Sequence, residues 1–183
     1  GFERGFAEFH EVHRLFSDLG SKAGSFRRVV PEWLAAHRHE RFFAYLHFRE
    51  PHFPYDPPPP FDTRFGADAP LTIEQRRDST WYRDVNQGRV TPTSEEIAHL
   101  VRLYDGNLAY ADHEIGVLYR ALQAEGLLER TVLIITADHG EQLFEKGYIS
   151  HSAQVLEQSI RVPLIIRFPA AAGSGSLLTN PPS

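Results

Sequence analysis

The sequence has no cysteine and no methionine among its 183 residues. Without cysteine, disulfides, thiolate zinc sites and cysteine nucleophiles are all excluded, although the cellular compartment cannot be read from that absence. No apolar run approaches the ~20 residues that a membrane-spanning helix needs. Both signs of charge are interspersed around a net charge of −5, so neither a nucleic-acid footprint nor a cationic membrane helix is present. The composition, 42% hydrophobic, predicts one globular domain with a sizeable core.

One apolar segment ends in a carboxylate and an imidazole side by side. Residues 131–137 are rich in Val, Ile and Thr, which is typical of a strand buried on both faces of a parallel sheet, and Asp138, His139 and Gly140 follow at once. In open α/β sheets, ligands bind beyond the carboxyl ends of the strands. A carboxylate oxygen and an imidazole nitrogen together suit a divalent cation. The alternative is a plain turn, in which Asp138 caps the next segment and His139 is solvated.

Further elements alternate along the chain. The pattern predicts a helix over 30–37 with Pro31 in its first turn, a strand over 42–48, a helix from 93 to 126 and a strand over 162–168. The long helix begins with a capping box formed by Thr93 and Glu96. Residues 55–93 show little periodicity and contain four consecutive prolines, so we expect a long excursion there. Together these elements predict an α/β fold with a mostly parallel sheet and helices on both faces.

Five segments occur in the order and approximate spacing of one known family. They are Asp138-His-Gly-Glu141 with the loop that follows it, Arg161-Val-Pro-Leu-Ile-Ile-Arg167, and residues 1–6, 42–52 and 104–116. The combination, which spans most of residues 1–169, resembles the sulfatase family of the alkaline phosphatase superfamily. The resemblance implies an alkaline phosphatase-like fold that is incomplete here. We expect a partial catalytic domain over residues 1–169 and a disordered or truncated tail over residues 170–183.

The family's nucleophile motif is absent from this sequence. That motif reads Cys or Ser, any residue, Pro, any residue, Arg, and its first residue becomes formylglycine; no such run occurs here. The chain also opens at Gly1 with neither an initiator methionine nor a signal-like segment. We therefore expect a fragment whose formylglycine nucleophile and first pair of carboxylate metal ligands lie outside this chain. Such a fragment is expected to be inactive by itself.

The resemblance assigns a metal-binding role to the strand-end pair. Asp138 and His139 match the family's Asp followed by Asn or His, which ligate the cation beside the scissile sulfate. With one such pair, we expect one divalent cation. Calcium is the usual choice of the family, and manganese, magnesium and zinc remain alternatives because histidine is a ligand.

The resemblance also assigns substrate contacts to two histidines. His52 lies in Glu50-Pro-His-Phe-Pro54, similar to the family's Asp-Pro-His-x-Pro, whose histidine hydrogen-bonds the sulfate or the leaving oxygen. His151 falls where the family places a Lys or His that reaches the sulfate, and Lys146 competes with it for that role. We expect catalytic and substrate-binding roles for His52 and His151, and we predict that both border one pocket with the Asp138 pair.

Other polar residues receive structural interpretations. His47, in the 42–48 strand, is predicted to be a hydrogen-bonded core histidine, and His113 is predicted to pack on the long helix. Arg161 is predicted to form an ion pair, and Glu141 could hydrogen-bond a metal ligand without itself binding the metal.

The activity implied by the resemblance is metal-dependent hydrolysis of a sulfate ester of a small molecule or carbohydrate, through a covalent sulfo-enzyme. A second hypothesis keeps the superfamily and makes the substrate a phosphate or phosphonate ester, or a phosphoethanolamine group for transfer. A third is a non-catalytic binding or truncated product. The identity of the ester cannot be read from residues 55–93, where we expect specificity to lie.

Overall fold

The computed structural model describes residues 3–12, 23–67, 70–72, 75, 78–151 and 155–169. The elements in chain order are a 3-10 turn Ala23–Ser25, α1 Phe26–His37, α2 Ser79–Asn86, α3 Ser94–Ala124, a 3-10 turn Leu128–Arg130, β1 Leu133–Thr136, the single turn α4 Glu157–Ile160, and β2 Leu164–Arg167. The predicted tail over residues 170–183 lies outside the described residues. None of the helices in the described ranges is long and apolar enough to cross a membrane.

The 31-residue helix α3 begins at the predicted capping box. The Thr93 hydroxyl accepts the Glu96 N–H at 3.2 Å, and the Glu96 carboxylate accepts the Thr93 N–H at 2.8 Å. Two backbone donors that the first helical turn would leave unpaired are thereby satisfied. The prediction of this helix is confirmed to within two residues at its end.

Two apolar clusters form the core, and α3 contributes to both. The first, here called the site-side core, contains Tyr55, Leu71, Tyr82, Val85, Leu100, Leu103 and Ile149. The second contains Val30, Leu34, Leu118, Leu122, Leu127 and Leu128 and joins α1 to the carboxyl half of α3. The amino half of α3 therefore supports the loops that lead to the candidate site, while its other half packs against α1.

Helix α2 lies inside the segment for which no periodic element was predicted. Asp78 caps it, since its carboxylate accepts the Thr80 N–H at 2.7 Å. Tyr82 and Val85 are buried in the site-side core. The prediction for residues 55–93 was therefore incomplete. The signal was an Asp cap followed by apolar residues three, four and seven positions later, which fits one face of a short helix.

Helix α1 begins earlier than predicted, at Phe26, so Pro31 lies inside the helix and not in its first turn. The 3-10 turn Ala23–Ser25 leads directly into α1, so the helix contains residues 26–29 in addition to the predicted residues 30–37. A proline at this depth removes one helical hydrogen bond. Packing of Val30 and Leu34 in the second core cluster offsets that cost.

The sheet differs from the prediction in its direction. β1 and β2 pair antiparallel, with Leu133 opposite Arg167 and Thr136 opposite Leu164. The parallel arrangement predicted for these two strands is therefore wrong. In the described part of their connection α4, a single turn, is the only helix, and an antiparallel pair needs no crossover helix.

Residues 42–48 form no regular secondary structure and belong to neither strand of the sheet formed by the described residues. Phe43 is 77% exposed there. His47 is exposed, with the Tyr45 hydroxyl 3.1 Å from its Nδ1, so the prediction of a core histidine is wrong. The apolar composition that indicated a buried strand is not matched by burial, because no neighbouring strand in the described part of the chain pairs with this segment.

Gly106 provides a test of how residues 57–61 are attached to α3. A Cβ at this position would lie 2.6 Å from the Phe61 carbonyl oxygen and 2.9 Å from Pro57 Cγ. We expect Gly106→Ala to reduce the free energy of unfolding by about 1–3 kcal/mol, because the backbone of the excursion must move away.

Gly116 on the same helix is the matched control. Its Cβ would meet only the far end of the Arg120 side chain, at 3.5 Å. Gly116→Ala should therefore stabilise the protein by up to about 1 kcal/mol through helix propensity. Urea denaturation of both variants measures the difference, and equal effects of the two substitutions would contradict the packing described here.

Candidate active site

Three histidine rings from distant parts of the sequence converge at the carboxyl end of β1. The ring centroids of His139 and His151 lie 3.8 Å apart in a stacked arrangement. His52 lies 5.2 Å from His151 and 6.2 Å from His139, with its ring steeply inclined to both. The structure thus brings His52, His139 and His151 into one cluster, here called the histidine cluster.

Each ring of the cluster uses its Nδ1 atom for a local contact. His139 Nδ1 lies 2.8 Å from the Gly140 carbonyl oxygen, and His52 Nδ1 lies 2.5 Å from the Phe53 carbonyl oxygen. A carbonyl oxygen only accepts, so Nδ1 donates in both rings. In the neutral ring the proton is then on Nδ1 and the lone pair is on Nε2. A histidine that binds a metal through Nε2 adopts this tautomer.

His151 is oriented by a buried carboxylate. Its Nδ1 lies 3.1 Å from Glu141 Oε1, and the Glu141 side chain is only 5% exposed. Burial, and after it the Glu141 carboxylate, raises the pKa of the Tyr55 phenol far above its usual range; the same two causes raise the pKa of Tyr104. Both phenols therefore stay protonated, and the Glu141 carboxylate acts on both of them.

Asp138 stands beside the cluster with most of its side chain in solvent. The carboxylate is 75% exposed, its Oδ1 accepts the His139 N–H at 3.1 Å, and the same oxygen lies 3.8 Å from His139 Nε2. Two ligands each about 2.0–2.5 Å from a common cation can be separated by that distance. The pair fits a cation in geometry and in donor chemistry.

That pair alone would not complete a coordination sphere. Within the described ranges, no group of three or more His, Asp or Glu side chains is arranged to hold a metal ion. Calcium takes six to eight oxygen ligands, and catalytic zinc usually takes three protein ligands. The remaining ligands would have to come from substrate, water or residues other than those described.

Gly140 allows the turn after β1 to pack against α4. A Cβ there would lie 2.1 Å from the Gln158 carbonyl oxygen, too close for any other residue without movement of the backbone. The Gly140 N–H donates to the Ser159 carbonyl at 2.7 Å, and the buried Gln142 side chain donates to the Ser159 hydroxyl at 2.9 Å. These contacts with α4 fix the backbone that immediately follows Asp138 and His139.

The loop that carries His151 is clamped to α2 by one side chain. The Asn86 amide donates to the Ile149 carbonyl at 2.8 Å and accepts the Ile149 N–H at 2.7 Å. Ile149 is fully buried, so both of its backbone groups depend on this contact. No local sequence signal marks Asn86, because its role depends on a partner 63 residues away.

Lys146, the other candidate for the cationic role, lies in a turn closed by the bridge between Leu143 and Ile149. Its side chain is exposed there. His151 follows this turn and belongs to the histidine cluster. The role proposed for Lys146 stays a prediction.

The fold and the comparisons together define the class of the protein. Phosphonate monoester hydrolase SpPMH from Silicibacter pomeroyi superposes with a TM-score of 0.61 at 25% identity, over 80% of this chain and 32% of that one. The phosphonate monoester hydrolase of Agrobacterium radiobacter superposes with a TM-score of 0.56 at 24% identity, over 81% and 32%. The predicted class, an incomplete α/β domain of the alkaline phosphatase-like fold, is confirmed.

The family follows from sequence. The family model described as Sulfatase matches residues 18–176, and this chain belongs to the sulfatase family. An arylsulfatase of Clostridium perfringens is 27% identical over 134 residues, covering 70% of this chain and 28% of that protein. A choline-sulfatase of Rhizobium meliloti is 34% identical over 80 residues, covering 44% and 15%. The chain spans less than a third of the length of these relatives.

Replacement of Asn86 tests the clamp on the His151 loop. We expect Asn86→Ala to cost about 1–3 kcal/mol of unfolding free energy, since the buried N–H and carbonyl of Ile149 lose their partner. The ring signals of His151 in an NMR spectrum should shift as the loop loosens. Gln87→Ala, one residue further along the chain, should change stability by less than about 0.5 kcal/mol. Unchanged His151 signals in Asn86→Ala would count against the clamp.

Proposed function

We propose that this chain supplies the cation-binding and oxyanion-binding side of a sulfate ester hydrolase site. The observation that carries the proposal is the meeting of His52, His139 and His151 beside Asp138 at the end of β1. Membership of the sulfatase family and the arylsulfatase relatives support sulfate as the group that is hydrolysed. The substrate class that fits is a small-molecule or carbohydrate sulfate ester.

The residues have separate roles in this proposal. Asp138 and His139 Nε2 would hold a divalent cation, which neutralises charge on the sulfate oxygens when bound. His52 and His151, each fixed through Nδ1, would direct Nε2 at the sulfate or at the leaving oxygen. Because Nδ1 donates to its local acceptor, Nε2 can donate a hydrogen bond or a proton to the departing alcohol only when the ring is the doubly protonated imidazolium. Calcium is the proposed cation, with manganese, magnesium and zinc as alternatives.

Glu141 acts through His151 in the proposed site. Its carboxylate accepts from His151 Nδ1 and is buried against Tyr55 and Tyr104. Such a partner fixes ring orientation and favours the positive charge that an imidazole acquires when it binds an anion. Glu141 is therefore a positioning residue for the oxyanion site.

The nucleophile is not part of this proposal for the chain. The sequence contains neither Cys-x-Pro-x-Arg nor Ser-x-Pro-x-Arg, so the formylglycine that the family uses would be supplied from outside these residues. We expect the 183 residues alone to bind sulfate without measurable turnover of an aryl sulfate. Turnover that follows the purified protein through chromatography and disappears in His52→Ala would contradict this expectation.

A phosphonate or phosphate ester is the second candidate substrate. A phosphonate monoester hydrolase superposes with a TM-score of 0.61 at 25% identity, and a relative from Trinickia caryophylli, 26% identical, is named a multifunctional alkaline phosphatase superfamily protein. Sulfate and phosphonate monoesters both present tetrahedral anionic oxygens. Competition between phenyl sulfate and phenyl methylphosphonate for the site would rank the two candidates.

Calorimetric titration with calcium and with manganese tests the cation site. Asp138→Ala and His139→Ala should each weaken binding by at least the roughly tenfold that loss of an outer-shell partner already costs. Asp112→Ala is a matched control, because Asp112 and His113 form the chain's other Asp-His pair and lie on α3. Equal cation affinity in wild type and Asp138→Ala would remove Asp138 from the site.

A further inference from the structure

A cavity of about 330 Å3 lies between α2 and the loops that carry His52 and His151. Its wall includes Phe53 and Ser150, which are the immediate sequence neighbours of His52 and His151, and residues of α2 form the opposite side. The volume is at the lower end of the roughly 300–1,000 Å3 typical of small-ligand sites. One ring fits, whereas an extended chain of rings does not. An ester whose sulfate lies at the cluster therefore has room for its alcohol part in this cavity.

The chemistry of the cavity wall is aromatic on one side and cationic on the other. The Phe53 ring is held by an edge contact with Tyr82, with centroids 4.5 Å apart, and offers a rigid apolar surface to a ring. Among the described residues that line the cavity, Arg83 alone carries a formal charge. Asn86 is held by Ile149, with its amide nitrogen donating to the Ile149 carbonyl and its amide oxygen accepting the Ile149 N–H.

Arg83 is weakly engaged by the protein itself. Its Nε lies 3.8 Å from Asp84 Oδ1, which is too long for a hydrogen bond, and its side chain is 60% exposed. Asp84 is held instead by a close ion pair with Arg89. Arg89 also donates to Gln87, so this second arginine is anchored, whereas none of the described residues forms a hydrogen bond with the Arg83 guanidinium.

We propose that this cavity is the subsite for the alcohol part of the ester, and that Arg83 there binds a second anionic group, a carboxylate or a further sulfate, on the ring. The inference rests on the proposed function for its sulfate end. A guanidinium presents donors in a planar fork that matches both anions, which lysine does not. The subsite selects esters whose alcohol part carries an anionic group over esters whose alcohol part is uncharged.

Paired ligands that differ in one anionic group test the subsite. Phenyl sulfate is compared with 4-carboxyphenyl sulfate, and glucosamine 6-sulfate with glucosamine 2-N,6-O-disulfate, by NMR titration of the whole chain. We expect the wild type to bind the more anionic member of at least one pair about tenfold more tightly. Preference in the phenyl pair or in the sugar pair identifies which ring the cavity takes.

Arg83→Gln should abolish this preference and leave the affinity for the less anionic member within twofold. Arg120→Gln, an exposed arginine on α3 with the same loss of charge, should leave the preference intact. A wild type without preference in either pair, or an Arg83→Gln variant that keeps it, overturns the proposal. Well-dispersed spectra of both variants establish that each is folded.

The histidine variants separate this inference from the proposed function. His52→Ala and His151→Ala should weaken both members of a pair equally, because they act on the shared sulfate. If the preference depends on Arg83 while the histidine variants leave both affinities unchanged, the subsite stands and the proposed oxyanion site fails.

Discussion

The packing of Tyr55 and Ile149 against α3 is the constraint on which the candidate site depends. Both side chains are fully buried in the site-side core with Leu100 and Leu103 of α3. Tyr55 lies three residues after His52, and Ile149 lies two residues before His151. Two loops that are about a hundred residues apart in sequence are therefore anchored on one helix face, and their histidines meet as a consequence. Burial of large side chains, at about 25 cal/mol per Å2 of apolar surface, supplies the energy for this arrangement.

An anion site in a chain of net charge −5 must depend on local donors and not on the overall field. Charges further away than about 8–10 Å are largely screened at physiological salt. Within that radius the site combines three histidines with the carboxylates of Asp138 and Glu141, of which Glu141 is buried and paired with His151. A divalent cation on Asp138 would cancel the two negative charges of these carboxylates, which explains why the proposed cation and oxyanion functions belong together.

Part of this organisation could be predicted from sequence for identifiable reasons. The capping box of α3 is local, since Thr93 and Glu96 are three residues apart, and its prediction is confirmed. The placement of Asp138 and His139 at a strand end follows from composition and from the turn at Gly140. The meeting of His52 and His151 was expected from the family's motifs and from where their loops should open, and no residue between them signals it.

Other features depend on partners that periodicity does not reveal. The clamp from Asn86 to Ile149 and the close approach of Gly140 to Gln158 are contacts between distant segments. The antiparallel pairing of β1 and β2 depends on the path of the intervening loop. The apolar pattern of each strand does not predict that path. His47 was predicted to be buried because its neighbours are apolar, yet burial requires a covering layer, and Phe43 beside it is 77% exposed.

The central claim is that the histidine cluster and Asp138 face one tetrahedral oxyanion. Selenate has the shape and charge of sulfate. Because the chain has no methionine, and therefore no selenomethionine, any selenium signal comes from selenate. Anomalous diffraction from a crystal of this chain soaked in selenate and calcium would locate the anion directly. The account predicts selenate oxygens within about 2.7–3.2 Å of the Nε2 atoms of His52 and His151, while Asp138 and His139 Nε2 hold the calcium ion. Selenate bound only at surface arginines, with the histidine cluster empty at saturating concentration, would contradict the account.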